Sequence, residues 1–317
     1  MGQMTRGTSD HPHAAAQAHD HHHADDGKPR IGFIGAGRVG TALGVAFSRA
    51  GWEVTGVASR DEARRTRFHE LVPGARAFAD ATNVLDEADL IFLTVPDDAI
   101  AAAANGLHLY SGQALVHTSG ALPAAVLAPA MAAGTSKASF HPLVAFTDLD
   151  HALEALRGAT VALDGDESLL PVLAELAESV GARAVRLPEG GKAAYHAAAM
   201  MAAGGLVGLL DGIVAVARLA GLDDHTALAV YTPLARQALA NSERLGVDGA
   251  LTGPFLRGDV GTVRGHLEVL RSSAPEALSL YVAVARRELA IARRRGELDQ
   301  SAAAALEALL DDAQRPA

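Results

Sequence analysis

Residues 30–40, RIGFIGAGRVG, narrow the possible folds more than any other stretch of this chain. Ile31 to Ile34 reads as a short apolar strand that runs straight into Gly35-Ala36-Gly37-Arg38-Val39-Gly40. An apolar helical pattern follows at once (Leu43, Val45, Ala46, Phe47) and stops at Gly51. Strand, G-x-G-x-x-G and helix in this order form the fingerprint of a dinucleotide-binding βαβ unit. Gly35 permits the tight turn, Gly37 lets a pyrophosphate approach the backbone, and Gly40 lets the helix pack on the strand. The helix N-terminus then offers free N–H groups and a positive dipole end to phosphate. A bare G-x-G-x-x-G is also compatible with a glycine-rich structural turn; the flanking strand and helix favour the dinucleotide.

The next strand, Trp52 to Ala58, ends at a position that discriminates between cofactors. An acidic residue there holds a ribose 2′-OH. This chain has Ser59-Arg60 instead, followed by Arg64 and Arg65. A hydroxyl and a planar guanidinium suit a 2′-phosphate, which points to NADP(H) rather than NAD. Asp61 and Glu62 beside them leave a solvated helix start as the plainer alternative. Further strands read at Ala75–Phe78, Leu90–Val95, Ala114–His117, Ala138–Leu143, Ala159–Leu163 and Ala182–Leu187, with a helix at Ser168–Val180. Val95 ends the strongest of these strands and Pro96 follows it as a helix entry, where such a sheet brackets the nicotinamide side. The alternation predicts an α/β fold with a doubly wound, mostly parallel sheet.

At 317 residues the chain is expected to hold more than one domain, since roughly 100–200 residues is the usual size. Residues 1–29 read as a disordered tail containing His11, His13, His19, His21, His22 and His23, with incidental metal affinity at most; no metal site is assigned. Residues 30–188 read as the dinucleotide-binding domain. From Glu189-Gly190-Gly191 onward strand signals vanish, and residues 189–317 read as an all-α domain. Its helices are expected at Lys192–Leu219, Asp224–Arg244, Val260–Leu270, Ala274–Arg295 and Gln300–Asp312. Gly204, Gly205, Gly208 and Gly212 each cost about 1 kcal/mol against Ala within a helix. They suggest close backbone approach and a homodimer through the helical domain. The longest apolar run, Ala197 to Leu210, ends at Asp211; it is expected to be a buried helix rather than a membrane span. A net charge of −10 argues against a nucleic-acid partner. The absence of cysteine excludes thiolate chemistry and fits a cytoplasmic protein.

Lys192, Tyr195, His196 and Ala199 share one helix face. Lys192 at a helix N-terminus opposes the dipole, an unfavourable placement that favours a functional reading. An ammonium or phenol there suits proton donation to the heteroatom left by hydride transfer. His196 reads either as a partner in that chemistry or as a satisfied core histidine. Ser119-Gly120 closes a strand and suits a substrate carboxylate or a helix N-cap. His141-Pro142 reads equally as site or turn. In the helical domain, Thr252-Gly253-Pro254 and Arg257 lie on a punctuated loop, with Arg257 suited to an acidic group.

Together GAGRVG, ASR, TVPDDAI, HTSGA, SFHPL, GKAAYHAAA and LTGPFLRGD resemble a bacterial family with a Rossmann-like NADP-binding domain followed by a helical domain of unknown function. The resemblance runs from about Arg30 to about Leu270. The family is similar to the β-hydroxyacid dehydrogenases, the ketopantoate reductases and pyrroline-5-carboxylate reductase. The resemblance implies Lys192 as acid/base and Ser119-Gly120 as substrate-binding, while His196 stands where the dehydrogenases often have Asn. It also implies that Thr252-Gly253-Pro254 corresponds to a substrate loop that acts across a dimer. The reading is an NADPH-dependent reductase of a small acidic 2-oxo compound, 2-dehydropantoate first. Its cofactor sits on Gly35, Ala36, Gly37, Arg38, Val39, Gly40, Ser59, Arg60, Val95 and Pro96. Lys192, His196 and Ser119 serve catalysis, and Ser119, Gly120, His141, Tyr195, Thr252 and Arg257 meet the substrate. An imine or deazaflavin-linked reductase and a non-catalytic NADP sensor or scaffold are the alternatives.

Overall fold

The structure, a computed structural model, describes residues 27–315. The expectations for the histidine-rich tail fall outside that range. The described chain divides into two compact units, one ending at Ala197 and the other starting at Ala198. Lys192 to Ala197 therefore packs with the first unit, a little beyond the Glu189–Gly191 turn.

The first unit is an α/β sheet. In chain order it contains β1 (Ile31–Ile34), α1 (Arg38–Arg49), β2 (Val54–Ala58), α2 (Glu62–Leu71), β3 (Arg76–Phe78), β4 (Leu90–Leu93) and α3 (Asp97–Asn105). Then come β5 (Ala114–His117), β6 (Ser136–Pro142), α4 (Leu149–Leu156), β7 (Thr160–Gly165), α5 (Leu170–Ser179) and β8 (Arg183–Arg186). The eight strands lie in the order β3-β2-β1-β4-β5-β6-β7-β8. All neighbours are parallel except β6 and β7. The order 3-2-1-4-5-6 reverses direction between β1 and β4, the point where ligands bind such sheets.

Strands buried on both faces are apolar throughout, and β1, β4 and β5 are fully buried. One face is filled by Phe33, Phe47, Phe68, Phe92 and Phe140. Phe33 and Phe92 stack at 5.4 Å, and Phe140 meets Phe92 edge-on at 5.6 Å. The other face packs Ile34, Leu93, Leu115 and Ile100. Several expected strand boundaries move, and one helix is added. Trp52 precedes β2 and instead donates its indole N–H to Ser179 Oγ at 3.0 Å. Thr94 leaves β4 because its hydroxyl turns to the Gly35 carbonyl at 2.6 Å. Helix α4 was not expected; Asp148 caps it by accepting from His151 N–H.

The second unit is helical. It begins near the end of α6 (Lys192–Met200), which continues through a π turn at Met201–Gly205 into α7 (Leu206–Arg218). α8 (Asp224–Ala250), α9 (Pro254–Arg257), α10 (Val260–Ser273), α11 (Pro275–Arg295) and α12 (Gln300–Ala313) follow. Phe255, Val263, Leu267, Val282, Leu289, Leu306 and Leu310 form its main core. α8 runs past Arg244 and breaks at Gly246, where φ is +72°.

The expectation for Ala197–Leu210 is corrected. A single Asp does not interrupt helix geometry, so Asp211 lies inside α7. Within Lys192–Arg218 an 18-residue window has mean hydropathy 1.9, long and apolar enough by length and composition to cross a membrane, and only 6% of that window is buried. Met201 and Val207 are 76% and 67% exposed. Of the four glycines, Gly212 is in close contact, since a Cβ there would stand 2.4 Å from Leu280 Cδ2, whereas one on Gly208 would meet nothing within 4 Å.

Candidate active site

The glycine turn after β1 separates into two kinds of glycine. Gly35 has φ +114°, and a Cβ there would stand 2.6 Å from the Thr94 carbonyl oxygen. A Cβ on Gly40 would stand 2.2 Å from the Gly35 carbonyl oxygen. Both are required by the chain's own packing. Gly37 is different: a Cβ there meets only the Thr94 oxygen at 3.9 Å. The fold leaves room for a side chain at Gly37, so its bareness is explained by a group arriving from outside. Gly37 is also the N-cap of α1, with no side-chain cap and no acidic residue in the first turn. The first N–H groups of α1 (Arg38, Val39, Gly40) are thus left for an anion. Ala36 is buried, and Arg38 is exposed at the helix start.

Ser59 and Arg60 follow β2, beside this turn. Ser59 Oγ accepts from Asp61 N–H at 3.2 Å. Arg64 pairs with Asp61 and Arg65 with Glu62. Those two acids are therefore engaged by the arginines downstream, and Arg60 has no carboxylate partner among the described residues. The turn, Arg38 and Arg60 fit a phosphorylated dinucleotide. After β4, Val95 packs on the apolar core and Pro96 is the N-cap of α3.

A second cluster sits over the ends of β5 and β6. In register, Leu93, His117, Ser139 and Asp164 form one row across β4, β5, β6 and β7. His141 lies two residues beyond Ser139, on the same face. Lys192, the first residue of α6, closes over this row: it is only 4% exposed, and its Nζ donates a hydrogen bond to Ser139 Oγ. Burial pushes the Lys192 ammonium down to about 8, against the opposing pull of Asp164 and Asp97. Neither carboxylate forms an ion pair with it. Asp164 accepts from Ala124 N–H at 2.7 Å, and Asp97 accepts from the Ser119 hydroxyl at 2.8 Å.

Ser119 Oγ also accepts from the N–H groups of Ala121 and Leu122, each at 3.1 Å. The hydroxyl is thus a turn cap and a tie to Asp97 at once. His117 is fully buried: Nε2 donates to the Pro123 carbonyl and Nδ1 accepts from Ser119 N–H, both at 3.2 Å. Those bonds fix a neutral tautomer, in keeping with burial and Lys192 lowering the ring to about 4. His141 is held at about 4 by the same causes, and its Nδ1 meets the Tyr195 hydroxyl at 3.2 Å. Burial raises Tyr195 to about 12, so the phenol keeps its proton. A Cβ on Gly120 would fall 2.4 Å from His196 Nδ1 and 2.7 Å from His141 Nε2. Gly120 is bare because two imidazoles pack on it. His196 Nδ1 is buried with no hydrogen-bond partner among the described residues.

The structure therefore gathers Ser119, Gly120, His141, Lys192, Tyr195 and His196. The sequence reading missed Asp97, His117, Ser139 and Asp164. For His117, Ser139 and Asp164 the signal was a polar residue within an otherwise apolar strand, on β5, β6 and β7; Asp97, at the start of α3, carried none. Thr252 and Arg257 belong to the second unit. Thr252 is exposed, and Arg257 forks onto Asp259 at 2.7 and 2.9 Å.

Residues 16–142 match the Rossmann-like domain family, and residues 159–288 match the domain of unknown function DUF2520. The two models match successive parts of the chain, and the second begins at the start of β7, within the sheet. None of the curated proteins compared matches it. It is similar to protein TM1727 from Thermotoga maritima, at 28% identity and TM-score 0.68, over 84% of this chain and 99% of that one. BF3122 from Bacteroides fragilis, provisionally described as an NADP oxidoreductase, aligns at 20% identity and TM-score 0.65, over 83% and 98%. The 1-pyrroline-5-carboxylate reductase of Streptococcus pyogenes aligns at 15% and 0.56, over 90% and 98%. At these identities the last two share the fold.

Proposed function

We propose that this protein is an NADP(H)-dependent oxidoreductase that reduces a small C=O or C=N compound, with 2-dehydropantoate the first substrate to try. The observation that carries the reading is Lys192: a buried ammonium with a single hydrogen-bond partner among the described residues, poised near neutral pH. It stands over the carboxyl ends of the strands, on the sheet that bears the ligand-ready glycine turn. When bound, NADPH supplies a hydride to the acceptor carbon. Gly35 to Gly40 cradle its pyrophosphate, and Ser59 and Arg60 take its 2′-phosphate. Lys192 Nζ gives a proton to the oxygen or nitrogen of the acceptor and is reprotonated from water. An acid with a pKa near the working pH combines the right protonation state with useful driving force. Tyr195, His141 and Gly120 shape the neutral side of the cleft. The NADP oxidoreductase description of BF3122 is in keeping with this assignment.

The substrate group favoured by one further observation is an imine. Asp97 and Asp164 both act on Lys192, and carboxylates beside the acceptor stabilise a cationic C=N more than a neutral C=O. The named substrate of the Streptococcus pyogenes relative accords with that second reading. The test is NADPH oxidation, followed by loss of dihydronicotinamide absorbance, with 2-dehydropantoate and with a cyclic imine. Turnover of either that vanishes in Lys192→Met while NADPH still binds supports the assignment. Binding of NADPH with no oxidation by either compound discards it in favour of a cofactor-binding sensor.

A further inference from the structure

We propose that Ser139 is the positioning residue of the Lys192 proton donor, a hydroxyl that serves the lysine in both of its protonation states. The proposal rests on reading Lys192 as the acid, and it follows from an account of every group that faces the amine. Ser139 is 0% exposed and Lys192 4%, so the pair is shielded from bulk water. On β5, His117 has both ring nitrogens engaged, by Ser119 N–H and the Pro123 carbonyl. On β6, His141 is tied to Tyr195. On β7, Asp164 is spent on Ala124 N–H, and at the start of α3, Asp97 is spent on Ser119. On α6 itself, Tyr195 is turned to His141, and His196 packs on Gly120. Among the described residues the hydroxyl of Ser139 is left as the one hydrogen-bond partner of Nζ.

The chemistry of a hydroxyl suits that isolation. Its lone pairs accept an N–H of the ammonium, and after the proton has passed to the substrate its O–H rotates to donate to the lone pair of the amine. The contact between Nζ and the Ser139 hydroxyl can thus be kept at both ends of the step. A carboxylate at this position would hold the ammonium and resist proton release, and a methyl group would leave the charged form without support. Strand β6 supplies the rigidity, because Ser139 is paired on one side to His117 and on the other to Asp164.

The experiment titrates Lys192 by the ¹³Cε resonance of lysine-labelled protein. Lysine occurs only at positions 28, 137 and 192, so Lys192→Met assigns the signal. In Ser139→Ala the midpoint is expected to fall by roughly one pH unit, the difference between a hydrogen bond to the ammonium and the weaker one to the neutral amine. Ser139→Thr, which keeps the hydroxyl, is expected to titrate like the parent. The high-pH limb of the reductase profile should move with the midpoint in Ser139→Ala, lowering kcat with KM held. An alanine variant with the parental midpoint overturns the proposal, as does a folded threonine variant that titrates like alanine. The titration needs no substrate. A parent enzyme inactive on both test compounds would therefore refute the reductase reading and still leave Ser139 to be decided by the resonance.

Discussion

The two kinds of glycine in the turn after β1 predict opposite failures for the same substitution. Gly40→Ala places a methyl 2.2 Å from the Gly35 carbonyl oxygen and 2.5 Å from Thr94 Oγ1, both in a rigid turn. Backbone must shift, and overpacking of that kind costs about 1–3 kcal/mol. A domain of this size loses roughly 2–4 °C of Tm per kcal/mol. Gly37→Ala places the methyl where the nearest atom is 3.9 Å away, and φ there is −77°, an ordinary value for alanine. Its Tm should stay within about 2 °C of the parent, since surface changes of this sort cost under about 0.5 kcal/mol. The same methyl stands where the pyrophosphate must approach, so NADPH affinity should fall at least tenfold, about 1.4 kcal/mol. Thermal unfolding followed by fluorescence titration with NADPH measures both. If Gly37→Ala binds NADPH as tightly as the parent, or melts as early as Gly40→Ala, then the turn is structural and the assignment of a dinucleotide to it is wrong.

Lys192 gives a prediction in pH. Its folded value, about 8, lies below the ordinary 10.5, so the fold penalises the ammonium. The penalty is complete below pH 8 and disappears as pH rises towards 10.5, amounting to about 3 kcal/mol. Lys192→Met should therefore melt higher than the parent at pH 7 while losing turnover, and the parent's reduction rate should fall as pH rises through about 8; a melting point lowered by the methionine would contradict the buried charge. Arg60→Ala should weaken NADPH far more than NADH in parallel titrations, and equal losses would remove the 2′-phosphate from Arg60. The exposed Met201, Val207, Leu234 and Val247 on the π turn, α7 and α8 predict a homodimer, readable by light scattering and broken by Val207→Glu; a monomeric parent would exclude it.

Much of this was legible in the sequence because its causes are local. The strand Ile31–Ile34, the three glycines and the apolar helix behind them carry their own geometry, and Pro96 and Gly51 mark real boundaries. The Lys192–Tyr195–His196 face was readable from helical spacing alone. What could not be read depends on register. Ser139 and Asp164 become neighbours only through the antiparallel pairing of β6 with β7, and nothing in either strand announces its partner. Ser119 was expected as a substrate ligand or a cap, and only the folded chain adds its tie to Asp97, from a different strand end. The apolar run through Asp211 misled because burial was inferred from composition, whereas exposure is decided by what the rest of the chain offers to pack against it.

The reversal of β7 also determines where this protein will accept new material. Because β7 runs against β6, its far end returns to the start of β6, where the Asp166 carboxylate binds Lys137 through N–H and Nζ, each at 2.9 Å. The connection to α5 therefore opens on the edge of the sheet opposite to His141, with Glu167 and Ser168 exposed at its tip. Exposed tips of this kind tolerate insertion well. A peptide tag or a fluorescent module spliced between Glu167 and Ser168 would ride on the back of the sheet, which makes that connection the natural attachment point for sensors, surfaces or fusion partners that must leave the chemistry undisturbed.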